Sequence, residues 1–240
     1  MISNLLRNLP DVTKNLLIIN VLIFLGVMVF PQYGEMLALH NIGSDFFKPH
    51  QLLTHMFMHA NLPHLFFNMF ALVMFGGQLE KVWGGKKFLI IYFVSGIGSL
   101  ALQLGINYYD YYAYFSEFSP EQLENIAEGA STLVGKTGRF NSDWVMFYQY
   151  NYSTMVGASG AIMGLLAGFG YLFPNTELML IFLPIPIKAK FFIPILILID
   201  LTMGVRNFEW DNIAHFAHLG GAVAGFLLVY FWNKKRDSFY

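Results

Sequence analysis

Long apolar stretches follow one another along this chain and are separated by shorter polar segments. They cover residues 16–30, 52–76, 88–106, 155–173, 191–205 and 212–232. A helix that crosses a bilayer needs about 20 mostly apolar residues, and the shorter stretches can borrow flanking residues to reach that length. The pattern therefore predicts an all-α, polytopic membrane protein, a bundle of six transmembrane helices in which residues 1–240 form a single membrane domain.

Residues 107–153 are the one long polar segment. A helix inside it is predicted by Ser119, Pro120 and Gln122, which match a capping residue, a proline at the first helical position and a glutamine at the third. We expect this helix to run to about Glu128 and to end at Gly129. Tyrosines at the start of the segment favour the level of the lipid headgroups, namely Tyr108, Tyr109, Tyr111, Tyr112 and Tyr114. The segment is thus predicted to be an extramembrane insert between the third and fourth spans.

The composition agrees with a membrane protein and excludes several other classes. Apolar residues make up 56% of the chain and charged residues only 12%, about half the charged share of an ordinary soluble domain. The absence of cysteine excludes disulfides, a thiolate nucleophile and thiolate metal ligands. A formal net charge of −1 argues against a nucleic-acid partner.

The distribution of basic residues predicts the orientation. Placing the amino terminus, the 79–87 turn, the 174–190 turn and the basic tail at 233–240 in the cytoplasm collects most of the 14 lysines and arginines on that side. The exceptions are Lys48, Lys136, Arg139 and Arg206. The positive-inside rule therefore favours both termini in the cytoplasm, with the insert on the other side. A plasma membrane is the simplest expectation for such a chain.

Two side chains in separate spans suggest nucleophilic catalysis. Ser159 lies near the predicted amino terminus of the fourth span, where backbone N–H groups are free and the helix dipole favours an oxyanion. His218 lies at a similar shallow depth in the sixth span. His64 and Asn68, four residues apart in the second span, share one helix face and could donate hydrogen bonds in one direction.

The remaining histidines allow other interpretations. His215 and His218 are three residues apart, which fits a proton relay, a metal pair or hydrogen bonding between helices. His55 and His59 are four residues apart, but no His-Glu-x-x-His motif occurs and no carboxylate is close in sequence. We favour structural roles for His55, His59 and His215, and predict no metal and no cofactor.

Taken in order, these motifs resemble those of the rhomboid intramembrane serine proteases. The resemblance covers the chain from about residue 52 to the end of the sixth span. The matching residues are His59, His64 and Asn68 in the second span, Gly157, Ala158, Ser159 and Gly160 in the fourth, and His218, Gly221 and Gly225 in the sixth.

The resemblance implies a Ser159–His218 dyad without a carboxylate, which hydrolyses peptide bonds in or near the transmembrane helices of membrane-anchored substrates. His218 would act as general base and Ser159 would form an acyl-enzyme. His64, Asn68 and the Ser159 backbone N–H would stabilise the oxyanion. Supporting roles are implied for Gly157, Gly160, Gly221, Gly225, Met163, His59 and His215, of which Gly221 and Gly225 would let the sixth span approach the fourth.

Two positions depart from the family pattern. A tryptophan-arginine pair that often precedes the second span is replaced by His50 and Gln51. An aromatic ring often stacks on the base four residues after the nucleophile, and Met163 stands there, so a sulfur contact could replace the ring.

Two other functions fit the same residues. A catalytically inactive relative would bind transmembrane clients without cutting them. A transporter would use the polar residues along a pathway, for which the proline-rich residues 183–186 are the only hint. The bilayer and membrane-anchored proteins are the predicted partners in the protease interpretation, and the oligomeric state is left open.

Overall fold

The computed structural model describes residues 8–133, 140–180, 183–206 and 213–237, and these are mostly helical. Residue 212 and residues 238–240, which belong to the predicted sixth span and tail, lie outside this part, as do Arg7, Lys136 and Arg139. The helices are α1 (Asp11–Val29), α2 (Gln32–Leu37), α3 (Gln51–Thr54), α4 (Leu62–Ala71), α5 (Gly77–Phe115), α6 (Pro120–Ser131), α7 (Ser142–Tyr152), α8 (Ser159–Leu172), α9 (Ala189–Arg206) and α10 (His215–Asp237). A 3₁₀ turn covers His55–Phe57, and a π-helical turn, Leu72–Gly76, joins α4 to α5.

Three helical stretches in the described residues are long and apolar enough to cross a membrane. They are Asp11–Val29, Leu62–Phe115 and His215–Lys234, and the shorter Ser159–Leu172 is also apolar. Many apolar side chains on these helices are exposed, which is the surface that lipid requires. The chain is therefore an integral membrane protein.

The stretch from Leu62 to Phe115 reverses direction at Gly84. Gly84 has φ 76° and ψ 161°, a left-handed conformation that glycine adopts without the penalty of a Cβ atom. A Cβ atom at Gly76 would lie 3.1 Å from the Phe88 ring. These residues are 12 apart and would be about 18 Å apart along a straight helix, so the chain doubles back between them.

The centre of the molecule is a close contact of α5, α8 and α10 through small residues. A Cβ atom at Gly225 would lie 2.5 Å from the Gly164 backbone, and one at Gly221 would lie 2.7 Å from the carbonyl carbon of Gly160. A Cβ atom at Gly98 would overlap Ala224. Small residues let helix backbones approach closely in a membrane, where packing takes the place of a hydrophobic driving force.

Two short antiparallel sheets were not predicted from the apolar pattern. Strand β1 (Leu39–His40) pairs with β2 (Thr154–Met155), and β3 (Glu177–Leu180) pairs with β4 (Leu183–Lys188). Strand β4 contains two prolines, which a two-stranded sheet accepts because one edge of each strand is unpaired.

Several predicted boundaries differ from the observed ones. The second span was predicted from residue 52, but α4 begins at Leu62, where the Asn61 side chain accepts a hydrogen bond from His64 N and Pro63 occupies the first turn. The α5 helix continues to Phe115, nine residues beyond the predicted end at 106, and carries the tyrosines with it.

In the predicted insert, the capping box of Ser119 and Gln122 is present. The helix ends at Ser131 rather than at Gly129, because Gly129 provides the space for the Trp144 ring of α7. Helix α7 was not predicted. Its aromatic side chains pack on α5, where the ring centroids of Tyr111 and Tyr150 are 3.9 Å apart.

Candidate active site

Ser159 is the first residue of α8, and the backbone immediately before it has an unusual shape. Gly157 has φ 123°, which disfavours a side chain at this position. Its N–H donates to the His55 carbonyl oxygen at 2.9 Å, and Met155 pairs with Leu39. The turn before Ser159 is thus held by the segment between α1 and α4.

Gln51 organises that segment from within. Its side chain is fully buried, accepts from the backbone N–H groups of His40 and Lys48, and donates to the Phe46 carbonyl oxygen. The neighbouring His50 contacts the Met36 carbonyl oxygen through Nε2 at 2.9 Å. The pair that stands where the family often has tryptophan and arginine therefore anchors the segment through hydrogen bonds.

The side chains of Ser159 and His218 meet. The distance from Ser159 Oγ to His218 Nε2 is 2.8 Å, within hydrogen-bonding range, although the two residues are 59 apart in sequence. The contact is possible because the backbones of α8 and α10 approach closely at Gly160 and Gly221. Gly160 directly follows Ser159, and Gly221 lies about one turn after His218. His218 lies in the first turns of α10, which begins at His215.

His64 and Ser159 both lie close to the position that a side chain at Gly157 would take. A Cβ atom at Gly157 would be 2.7 Å from His64 Nε2 and 3.7 Å from Ser159 Oγ. The missing side chain leaves a small space that both atoms border. The first N–H groups of α8 have no acceptor within the helix, which is a general property of helix amino termini.

The other predicted site residues are distributed around this centre. Asn68 is buried, and its side-chain amide donates to the His64 carbonyl oxygen at 3.0 Å, within its own helix. The His59 ring contacts the His64 ring edge-on at a centroid distance of 5.0 Å. The Met163 side chain is buried in the apolar core.

Burial has the largest effect on the pKa values of the two histidines in the loop before α4. Desolvation lowers the pKa of His55 to about 4, against the opposing effect of its hydrogen bond to the Gln51 carbonyl oxygen. Desolvation also lowers the pKa of His59 to about 4, with a further contribution from His64. Both imidazoles are therefore neutral at neutral pH, and neither adds charge beside Ser159.

Asp200 was missed from the sequence. We expected a dyad without a carboxylate, but the α9 helix brings Asp200 to His218, whose Nδ1 is 3.2 Å from Oδ1 and 3.3 Å from Oδ2. His215 Nδ1 is 2.6 Å from the same Oδ1. The signal was available, because Asp200 is the single charged residue of the 191–205 stretch and a carboxylate within a membrane helix is costly enough to need a reason.

The three side chains of Asp200, His215 and His218 also have the right chemistry for a metal ion. Their ligand atoms all lie within 4.8 Å of one another. Two imidazole nitrogens and one carboxylate oxygen are a ligand set that zinc and several other divalent metals accept. The cluster can thus act either as a hydrogen-bonded network beside Ser159 or as a metal site.

The sequence of this chain is similar to those of several known proteins. The family model of the Rhomboid domain matches residues 47–235. Rhomboid protein 1, mitochondrial, of Saccharomyces cerevisiae is 28% identical over 183 residues, covering 76% of this chain and 41% of that protein. RHOMBOID-like protein 12, mitochondrial, of Arabidopsis thaliana is 28% identical, covering 95% of this chain and 59% of that protein. Rhomboid protease AarA of Providencia stuartii is 29% identical, covering 72% and 52% respectively. The chain spans about half the length of the curated relatives it matches.

Proposed function

Because this chain belongs to the rhomboid family, we propose that it is a serine endopeptidase that cleaves membrane-anchored proteins within the bilayer. The contact of 2.8 Å between Ser159 Oγ and His218 Nε2 carries the proposal. A hydroxyl that faces an imidazole nitrogen is the arrangement that activates a serine nucleophile. The name of the Providencia relative, a rhomboid protease, supports the same activity.

The reaction begins with the transfer of the Ser159 hydroxyl proton to His218 Nε2 as Oγ attacks the carbonyl carbon of the substrate. The tetrahedral intermediate then collapses, the peptide C–N bond breaks, and His218 gives its proton to the leaving amine. A water molecule attacks the resulting ester while His218 takes one of its protons. Release of the new carboxylate restores the Ser159 hydroxyl.

The oxyanion is stabilised in the space beside Gly157. His64 Nε2 and Ser159 Oγ border that space, and the Ser159 backbone N–H at the start of α8 adds a donor that the helix does not use. Asn68 supports His64 through the hydrogen bond to its carbonyl oxygen. A single preorganised donor of this kind is worth about 3 kcal/mol of transition-state stabilisation.

The proposed membrane arrangement has six spans, formed by α1, by α4 with its π-helical turn, and by α5, α8, α9 and α10. Both termini and the basic residues 233–240 face the cytoplasm in this proposal, and residues 107–153 face the opposite side. The distribution of lysine and arginine supports it. Since two of the relatives named above are mitochondrial and one is bacterial, we propose an integral membrane location without choosing the plasma membrane.

The test uses the full chain, purified and reconstituted in liposomes with a membrane-anchored reporter helix. We expect cleavage by the wild type, and none by Ser159→Ala or His218→Ala. A fluorophosphonate probe should label the wild type at Ser159 only. Ser131→Ala is the matched control, because its exposed hydroxyl lies outside the site and donates to the Glu128 carbonyl oxygen. Labelling that persists in Ser159→Ala would refute the proposal, and binding of reporter helices without cleavage or labelling would favour the inactive client-binding function.

A further inference from the structure

Asp200 is a carboxylate that the proposed reaction does not use, although it touches the proposed base. Its side chain is only 13% exposed and lies between two imidazoles of α10. The His218 contacts have lengths of 3.2 and 3.3 Å and involve both carboxylate oxygens, and the His215 contact of 2.6 Å involves Oδ1.

The hydrogen-bonding capacity of a carboxylate fixes where the protons lie. An ionised carboxylate only accepts, so each imidazole nitrogen that faces it must carry a hydrogen. Neutral His218 therefore has its hydrogen on Nδ1 and a free lone pair on Nε2. That lone pair points at Ser159 Oγ, 2.8 Å away, which is the tautomer that a general base requires.

His215 contacts the same carboxylate oxygen as His218. It is buried, and its short contact with Oδ1 restricts the carboxylate to the position that His218 needs. Two N–H donors also compensate part of the cost of keeping a charge inside the membrane domain. The three residues thus form one network that joins α9 to the start of α10.

We propose that Asp200 is a positioning residue that holds His218 in the orientation and tautomer that activate Ser159, with His215 holding Asp200. This inference rests on the proposed function. It differs from the dyad that the family resemblance implies, because here the imidazole is held by a carboxylate from the neighbouring helix.

The expected effect follows from the amide that would replace the carboxylate. In Asp200→Asn the side-chain NH₂ can face His218 Nδ1, which moves the imidazole hydrogen to Nε2, where it faces the serine. A complete change of tautomer in a serine protease triad lowers kcat by about 10⁴. The longer contacts here and the second donor from His215 give a smaller expected loss, of at least about tenfold in kcat with KM within about twofold.

The test compares Asp200→Asn and Asp200→Glu with the wild type in reconstituted full-length protein. The readouts are kcat, KM and the rate constant for fluorophosphonate labelling of Ser159. We expect Asn to lower kcat and the labelling rate by similar factors, and Glu to recover part of both because it restores the acceptor. Thr202→Val is the matched control, since Thr202 lies on the same helix and its exposed hydroxyl donates only to the Leu198 carbonyl oxygen.

The outcomes separate the two proposals. A wild type that neither cleaves nor labels refutes the proposed function itself. A labelled and active Asp200→Asn with kcat within twofold of the wild type, or a Glu variant no better than Asn, refutes the positioning role. If Asp200→Asn does not fold, as judged by thermal melting, Asp200→Ser carries the same comparison. Wild-type activity that is lost with a chelator and restored by zinc would also overturn the inference, in favour of a metal site.

Discussion

A single methyl group between α8 and α10 should separate Ser159 from His218, the proposed nucleophile and base. In Gly221→Ala the new Cβ atom would overlap the carbonyl oxygen of Gly160 and lie 2.7 Å from its carbonyl carbon, whereas ordinary van der Waals contact begins at 3.4 Å. The helices must therefore move apart by at least 0.7 Å at this point. Gly160 follows Ser159 directly and Gly221 is one turn from His218, so the displacement acts on the 2.8 Å contact itself.

The added methyl group should lower both the activity and the stability of the protein. A hydrogen bond lengthened from 2.8 Å to about 3.5 Å is no longer an effective proton path. Misplacement of catalytic groups by about 1 Å can cost about 100-fold in rate, so we expect kcat/KM to fall by about 10- to 100-fold. Overpacking in a core typically costs about 1–3 kcal/mol, and the clash here is with backbone atoms that cannot turn away, so the melting temperature should fall as well.

The assay measures kcat/KM on the reporter helix, the labelling rate of Ser159 and the melting temperature in the same detergent. Gly105→Ala on α5 is the control, because a Cβ atom there has nothing within 4 Å. We expect this control to be fully active. Wild-type kcat/KM in Gly221→Ala, or an equal loss in both variants, would show that the close helix approach does not set the site geometry.

Two further predictions concern stability. The buried Glu80 carboxylate accepts from both the backbone N–H and the hydroxyl of Thr13, so Glu80→Ala should destabilise the protein by about 2 kcal/mol or more in thermal or denaturant unfolding. The exposed Glu117→Ala is the control, and equal melting of the two variants would contradict the anchoring of α1. Burial lowers the pKa of His40, and the nearby Glu35 carboxylate offsets only part of this. The folded chain thus binds fewer protons than the unfolded one, so stability should be full above pH of about 6.5 and should fall as the pH decreases towards the folded pKa. The melting temperature of His40→Asn should fall less between pH 7.5 and 5.5 than that of the wild type, and parallel curves would contradict the assignment.

The apolar pattern predicted the helical membrane class well. A helix that crosses a membrane must satisfy its own backbone hydrogen bonds, so its length and composition can be recognised in one continuous stretch of sequence. The predicted start of the second span was wrong because the apolar residues among 52–61 pack into the protein before the helix begins at Leu62. Met56 there lies in the 3₁₀ turn, and its side chain is buried in the main apolar core against Gly96 of α5. Asn61, a capping residue, and Pro63, in the first turn, indicate the observed start of this helix better than hydropathy does.

The candidate site was predictable where it depends on residue type and not where it depends on helix arrangement. Ser159, His218 and His64 were found from their motifs, and their chemical roles stay predictions. Asp200 was missed because its partner is 18 residues away on another helix, and sequence spacing does not report contacts between helices. The strand pairing of Leu39 with Met155 was missed for the same reason.

The long sequence separation of the contacts at Gly157 and Ser159 determines when the candidate site can form during synthesis. Gly157 donates a hydrogen bond to His55, which precedes it by 102 residues. Ser159 can contact His218 only after α10 has been synthesised, because His218 follows Ser159 by 59 residues. Contacts of such long sequence separation form late in folding. A growing chain, or one truncated before α10, therefore carries Ser159 without His218, and the proposed reactive centre forms only after α10 has packed against α8.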